Sequence, residues 1–250
     1  MSRISIICEN IKTPTWIILV KIFGLWAFAN VGCYVVLPFF GFDTSYNSEP
    51  IVIALLFLVW AVFCIICFRD VFDAWRNEGR PTWIFRGIKP KKPNIQIIFI
   101  QSIAGAVFIF FLLYIFSLFP SLRGPKLAPY TDIVLSTPWY FLPKSMEILV
   151  QQILLTAFVL VFHLKYRLFK KVIVGYLVFF GGAHFLYAFT GTPAPYWITM
   201  TIAALSSAAV FPYLILRVRG GFLLTYMLHL CFYIVLAMVI HTWPPPDYIS

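Results

Sequence analysis

Five side chains in this sequence could do acid–base or hydrogen-bonding chemistry from within apolar runs: Glu147, Gln151, Gln152, His184 and His229. An unpaired polar group in hydrocarbon is costly, so such residues are the first place to look for function. At about 1.5 Å per helical residue from the nearest basic segment, Gln152 lies about 17 Å deep, His184 about 18 Å and His229 about 12 Å. Three separate runs therefore carry their strongest hydrogen-bonding groups at similar depth. If the faces converge they make one polar cavity of two imidazoles and two amides. If they do not, each imidazole is expected to donate to a nearby carbonyl as packing glue. Glu147 precedes Gln151 by one turn on the same face. That turn moves it about 6 Å toward the far surface, where a solvated carboxylate is expected.

The elements that must position these groups are transmembrane helices. The 250 residues are 62% hydrophobic and 11% charged, with mean hydropathy +0.91, which does not suit a water-facing surface. Seven apolar runs are long enough to span a bilayer, roughly 16–40, 51–68, 95–119, 146–164, 171–189, 196–216 and 222–241. No repeat or linker divides them, so residues 1–250 read as one all-α domain. The first run is too long for a signal-peptide core and is expected to be retained.

Charge alternates between the connections, except in the long third one, 120–145, where Arg123, Lys126 and Lys144 oppose only Asp132. Asp43 and Glu49 mark the first, whereas Arg69, Arg76, Arg80, Arg86, Lys89, Lys91 and Lys92 mark the second, and Lys165, Arg167, Lys170, Lys171, Arg217 and Arg219 follow in later ones. The positive-inside rule then puts the N-terminus in the cytoplasm and the C-terminus outside. The same rule accounts for nearly all of the net charge of +10, so no nucleic acid is expected as a partner. The basic stretch 86–92 reads most simply as a positive-inside loop, with specific binding to anionic lipid or an acidic partner as the alternative. The connection 120–145 leaves room for an eighth, interfacial or re-entrant element around Trp139, Tyr140 and Phe141.

Other candidate features read as structural. Cys8, Cys33, Cys64, Cys67 and Cys231 form no disulfide framework, and the Cys64/Cys67 pair sits mid-span without a second pair, so no metal site is expected. Trp16, Trp26, Trp139, Trp197 and Trp243 are expected as interfacial anchors. Arg69, Asp70, Asp73 and Arg76 have amphipathic spacing that continues span two into the cytoplasm, and His163 and His241 are expected to be solvated at span ends. Two axial imidazoles, His184 and His229, could ligate a b-type haem, although the apolar faces around them are crowded with Phe, Leu and Ile. No lysine in span seven could form a retinal Schiff base, and no cofactor is expected.

The polar groups also fall into three motifs in order: Gln151-Gln152-Ile-Leu-Leu-Thr156, then Phe180-Gly-Gly-Ala-His184, then His229-Leu-Cys-Phe-Tyr233. In order and spacing this resembles the CPBP family, the glutamate-dependent intramembrane proteases that include type II CAAX prenyl proteases and bacteriocin-processing proteins. That family carries EExxxR on one core helix, FxxxH on the next and a third motif, HxxxN or similar, two helices later. The resemblance covers residues 136–241 and implies a four-helix core there. Gly181, Gly182 and Ala183 would allow close helix approach, and Gly220-Gly221 is similar to the family's approach to its last core helix.

Both family glutamates are glutamines here, which cannot accept a proton at ordinary pH. Thr156 replaces the arginine, consistent with loss of the carboxylates that would pair it, and Tyr233 replaces the asparagine. The resemblance therefore implies a non-catalytic relative whose former active-site cavity, lined by Gln151, Gln152, Thr156, Phe180, His184, His229 and Tyr233, binds a membrane partner or lipid-like ligand. The alternative it leaves is an active endopeptidase using Glu147 with His184 and His229. The expected setting is a prokaryotic cytoplasmic membrane.

Overall fold

The computed structural model describes residues 14–77, 138–189, 194–218 and 220–242. The expected span 95–119, most of the basic connection before it and most of the connection after it lie outside these residues. So do Cys8, Trp243 and the side chain of His241. Among the described residues there is no strand. Seven helical elements follow one another: α1 (Thr15–Phe39), α2 (Pro50–Cys67), α3 (Arg69–Asn77), α4 (Phe141–Tyr166), α5 (Phe169–Phe189), α6 (Ala194–Arg217) and α7 (Gly221–Thr242). Five of them, α1, α2, α4, α5 and α6, are long and apolar enough to cross a membrane, as expected of an integral membrane protein. α7 carries an apolar stretch over Gly221–Ala237.

α4 is the hub. About 67% of its apolar window is buried, against 22% to 33% in the other four spanning helices, whose outward Val, Phe and Leu side chains are left for lipid. α2 packs on it most extensively, and α1, α3, α5, α6 and α7 all touch it. Phe158 stacks on Phe162 and Phe179 at 4.3 and 5.2 Å, knitting α4 to α5. Between these helices Gly175 leaves no room for a side chain, because a Cβ would fall 2.6 Å from Phe162.

Short turns force antiparallel neighbours. Arg167 takes a left-handed conformation (φ 55°) and its N–H donates to the His163 carbonyl at 2.9 Å, which ends α4. Gly220 (φ 80°) does the same service before α7, and a Cβ on Gly221 would collide with the Leu214 carbonyl. Thr15 meets the Tyr166 hydroxyl at 3.1 Å, and Lys21 donates to the Cys67 carbonyl at 2.6 Å. The start of α1 and the ends of α2 and α4 therefore share one end of the bundle, where Lys165, Arg167, Lys170 and Lys171 also lie. The α1–α2 connection, with Asp43, Tyr46 and Glu49, lies at the other end.

Several expectations are corrected. α4 begins at Phe141, five residues ahead of the expected span, because Pro143 is tolerated in a first helical turn. α3 is separated from α2 by a break at Phe68 rather than continuing it in one helix, and its amphipathic face buries Phe72 and Trp75 against the bundle. This covers His163, which is 5% exposed and meets the Trp75 ring edge-on at 5.5 Å, so it is not a solvated end residue. Trp16 and Trp139 are exposed at opposite ends of the bundle, as interfacial anchors would be, but Trp26 lies mid-helix and faces inward. Gly181 does permit close approach, a Cβ there falling 2.6 Å from Leu205, whereas Gly182 faces open space.

Candidate functional site

The polar groups separate into three sets. The first is a charged clamp near the start of α4. Both oxygens of Glu147 are engaged: Oε1 accepts from Gln151 Nε2 at 2.8 Å, and Oε2 accepts from Lys144 Nζ at 2.8 Å and from the Tyr46 hydroxyl at 2.9 Å. The Lys144 ammonium also lies 4.1 Å from the centre of the Tyr233 ring on α7. Lys144 is only 7% exposed. Burial, and then the Glu147 carboxylate, push the Tyr46 hydroxyl well above its ordinary pKa, so it stays protonated and donates. The expectation of a solvated Glu147 is therefore corrected: its side chain is 16% exposed, with Tyr46 of the α1–α2 connection and Lys144 and Gln151 of α4 bonded to it. Sequence reasoning missed Lys144 and Tyr46 as members of this group.

The second set joins α4 to α7. Gln152 is fully buried and donates to Thr225 Oγ1 at 2.6 Å, while Thr225 itself donates to the Gly221 or Phe222 carbonyl, each 2.9 Å away. Thr156 lies one turn further along α4 and is also buried. Gln152 Oε1 and Thr156 Oγ1 find no partner among the described residues.

The third set surrounds two cavities that share a wall. A π-helical turn, Leu177–Gly181, interrupts α5 just before His184, and such bulges frequently occur at functional sites. His184 Nδ1 bonds the Phe180 carbonyl at 2.8 Å, and the two rings lie 4.4 Å apart. Phe180, His184 and Tyr233 together form the partition. On one side is a narrow cleft of about 60 Å³ reaching Gln151 and Tyr187 at one end and Ile22, Phe23 and Trp26 of α1 at the other. On the other side is a cavity of about 260 Å³ among α5, α6 and α7, where Met200, Ala204, Phe211 and Phe232 supply apolar wall and His229 and Ser207 supply polar atoms.

His229 is 6% exposed, its ring set among those of Phe180, Phe211 and Tyr233 at 5.6 to 6.1 Å, and its Nδ1 has no partner among the described residues. His184 and His229 thus border one cavity and Gln151 meets His184 across another, but Gln152 and Thr156 line neither. Adjacent helical residues lie about 100° apart, so Gln151 and Gln152 do not face one site. Among the described residues no cluster of His, Cys, Asp or Glu could hold a metal ion. Cys33, Cys64, Cys67 and Cys231 are all free thiols.

No protein family, curated protein or solved structure matches this chain.

Proposed function

We propose that the protein is a non-catalytic intramembrane binding protein, a degenerate CPBP-like chain that holds a membrane-embedded ligand in the α5–α6–α7 cavity without cutting it. The observation that carries the reading is the pairing of Glu147. A carboxylate that already accepts three hydrogen bonds, one of them from an ammonium, has most of its acceptor capacity and its charge committed to neighbouring side chains, which makes it a poor candidate for the base that activates water. The cavity, by contrast, keeps hydrogen-bonding capacity uncommitted at His184 and His229. Buried polar groups are ordinarily satisfied, so an unpartnered imidazole nitrogen bordering a cavity calls for an explanation, and a ligand is one.

The same proposal includes seven spans, with α1 starting in the cytoplasm of a prokaryotic cell. Support comes from the basic residues gathered at the end where α1 begins and α4 ends, and from the acidic Asp43 and Glu49 at the other.

Two measurements test the binding reading. Native mass spectrometry of the protein extracted from membranes should find a bound lipid or peptide that is lost when Ala204→Phe fills the cavity. Purified protein should leave membrane-embedded peptides intact. Cleavage abolished by Glu147→Gln would replace the reading with an active protease, and a Soret band would replace it with bis-histidine haem binding.

A further inference from the structure

The hydrogen bond that orients His184 also determines what the cavity can recognise. The Phe180 carbonyl oxygen carries no hydrogen, so in the neutral ring Nδ1 must be the protonated nitrogen. A neutral ring is the form expected here, since an imidazolium in a half-buried apolar setting needs a carboxylate beside it, and the bond that His184 makes is to a backbone carbonyl. Nε2 of His184 is then a bare acceptor, and no described residue donates to it. A ligand that meets it must bring a hydrogen-bond donor. A carboxylate or a simple ketone brings none.

Size and walls narrow the class. The cavity, about 260 Å³, exceeds the roughly 150 Å³ that admits benzene to an engineered apolar cavity, and corresponds to about eight or nine water volumes. Ser207 is already committed, donating to the Ala204 carbonyl at 2.7 Å. A peptide segment would bring a donor and an acceptor per residue into a space that offers partners for very few. A single chain with one polar head matches the supply. Ser206 and Leu228 line the cavity yet are exposed on the outer faces of α6 and α7, so a chain has a way out into lipid.

We propose that the α5–α6–α7 cavity takes the head and first carbons of an uncharged single-chain lipid whose hydroxyl or carboxamide group donates to Nε2 of His184. This rests on the reading that the cavity binds a ligand at all, and it adds the ligand's charge and hydrogen-bonding sense.

The test uses the purified full chain in nanodiscs with three photoactivatable probes of equal length: a decanol, a decanamide and a decanoate, each with a diazirine on the chain. The alcohol and amide should label peptides of α5, α6 or α7, and decanoate above its ionisation range should label about tenfold less, the size of one hydrogen bond lost from a dry site. His184→Phe should reduce alcohol labelling by about tenfold, and His184→Gln, which restores an acceptor oxygen, should recover most of it. Ala204→Phe should abolish labelling while the thermal melt stays sharp, which guards against a His184 variant that fails to fold. Equal labelling by decanoate, sensitive to Ala204→Phe, would overturn the assignment of the head group and leave cavity binding intact. Failure of all three probes would overturn the ligand class; if native mass spectrometry also finds no occupant sensitive to Ala204→Phe, the binding reading falls with it.

Discussion

The clamp around Glu147 and the cavity beside His229 are built from similar material, buried polar side chains between helices, yet they are opposites in how they are satisfied. In the clamp every polar atom of Glu147 has a partner from the α1–α2 connection or from α4 itself. In the cavity one imidazole uses a single nitrogen on its own helix, and the other leaves Nδ1 without a partner among the described residues. Charge in a low-dielectric interior is tolerated only when paired, so the clamp is complete without any ligand. The cavity is not complete in that way, and under the proposed function its open positions are where a ligand would bond.

The comparison can be broken most forcefully at Lys144. Removing one member of a buried pair strands the other, so Lys144→Ala should destabilise the protein by about 3–5 kcal/mol, read as a lower melting temperature in detergent. Lys144→Met combined with Glu147→Met should recover most of that loss, because no charge is left behind; a double variant as unstable as the single would show that the clamp acts by something other than pairing. Next in size, Gln152→Leu should cost about 1 kcal/mol by leaving Thr225 with only its intrahelical carbonyls.

Tyr46→Phe should cost a similar amount, about 1 kcal/mol, near neutral pH, with a distinctive alkaline limb. The folded protein holds the Tyr46 proton more tightly than the unfolded chain does. Above the ordinary tyrosine value of 10.0 the unfolded chain therefore releases a proton that the native state retains, and wild-type stability falls. Melting curves across that range should show the fall in the wild type and not in the variant. The smallest effect on stability is expected at His229. His229→Phe keeps an aromatic of similar shape and removes an unpartnered nitrogen, so its melting temperature should change by less than the equivalent of about 1 kcal/mol while occupancy of the cavity drops.

The sequence made the helices legible and their rotation illegible. Apolar runs announce where a chain can cross a bilayer, and six expected spans fall close to helices observed, the start of α4 apart. Which of two adjacent glutamines faces a cavity depends on how α4 is turned, and that is decided by packing against six neighbours rather than by any local signal. Lys144 looked like a loop residue because its helix starts earlier than the apolar run, and Tyr46, which shares Glu147 with it, is 101 residues from that carboxylate. His184 was legible as a chemical group, since polar residues are rare in such runs, but its tautomer depends on where the Phe180 carbonyl points.

The π-helical turn in α5 has a consequence for how this site could be lost. An extra residue in one turn acts as a phase shift: everything beyond it is rotated by about 100° relative to an uninterrupted α-helix. Deleting any one residue between Leu177 and Gly181 would restore the regular ladder, leave the helix long enough to cross the bilayer, and swing His184 away from its cavity wall. A single-codon deletion there is thus a rotary switch, able to silence recognition while topology and most of the core remain in place.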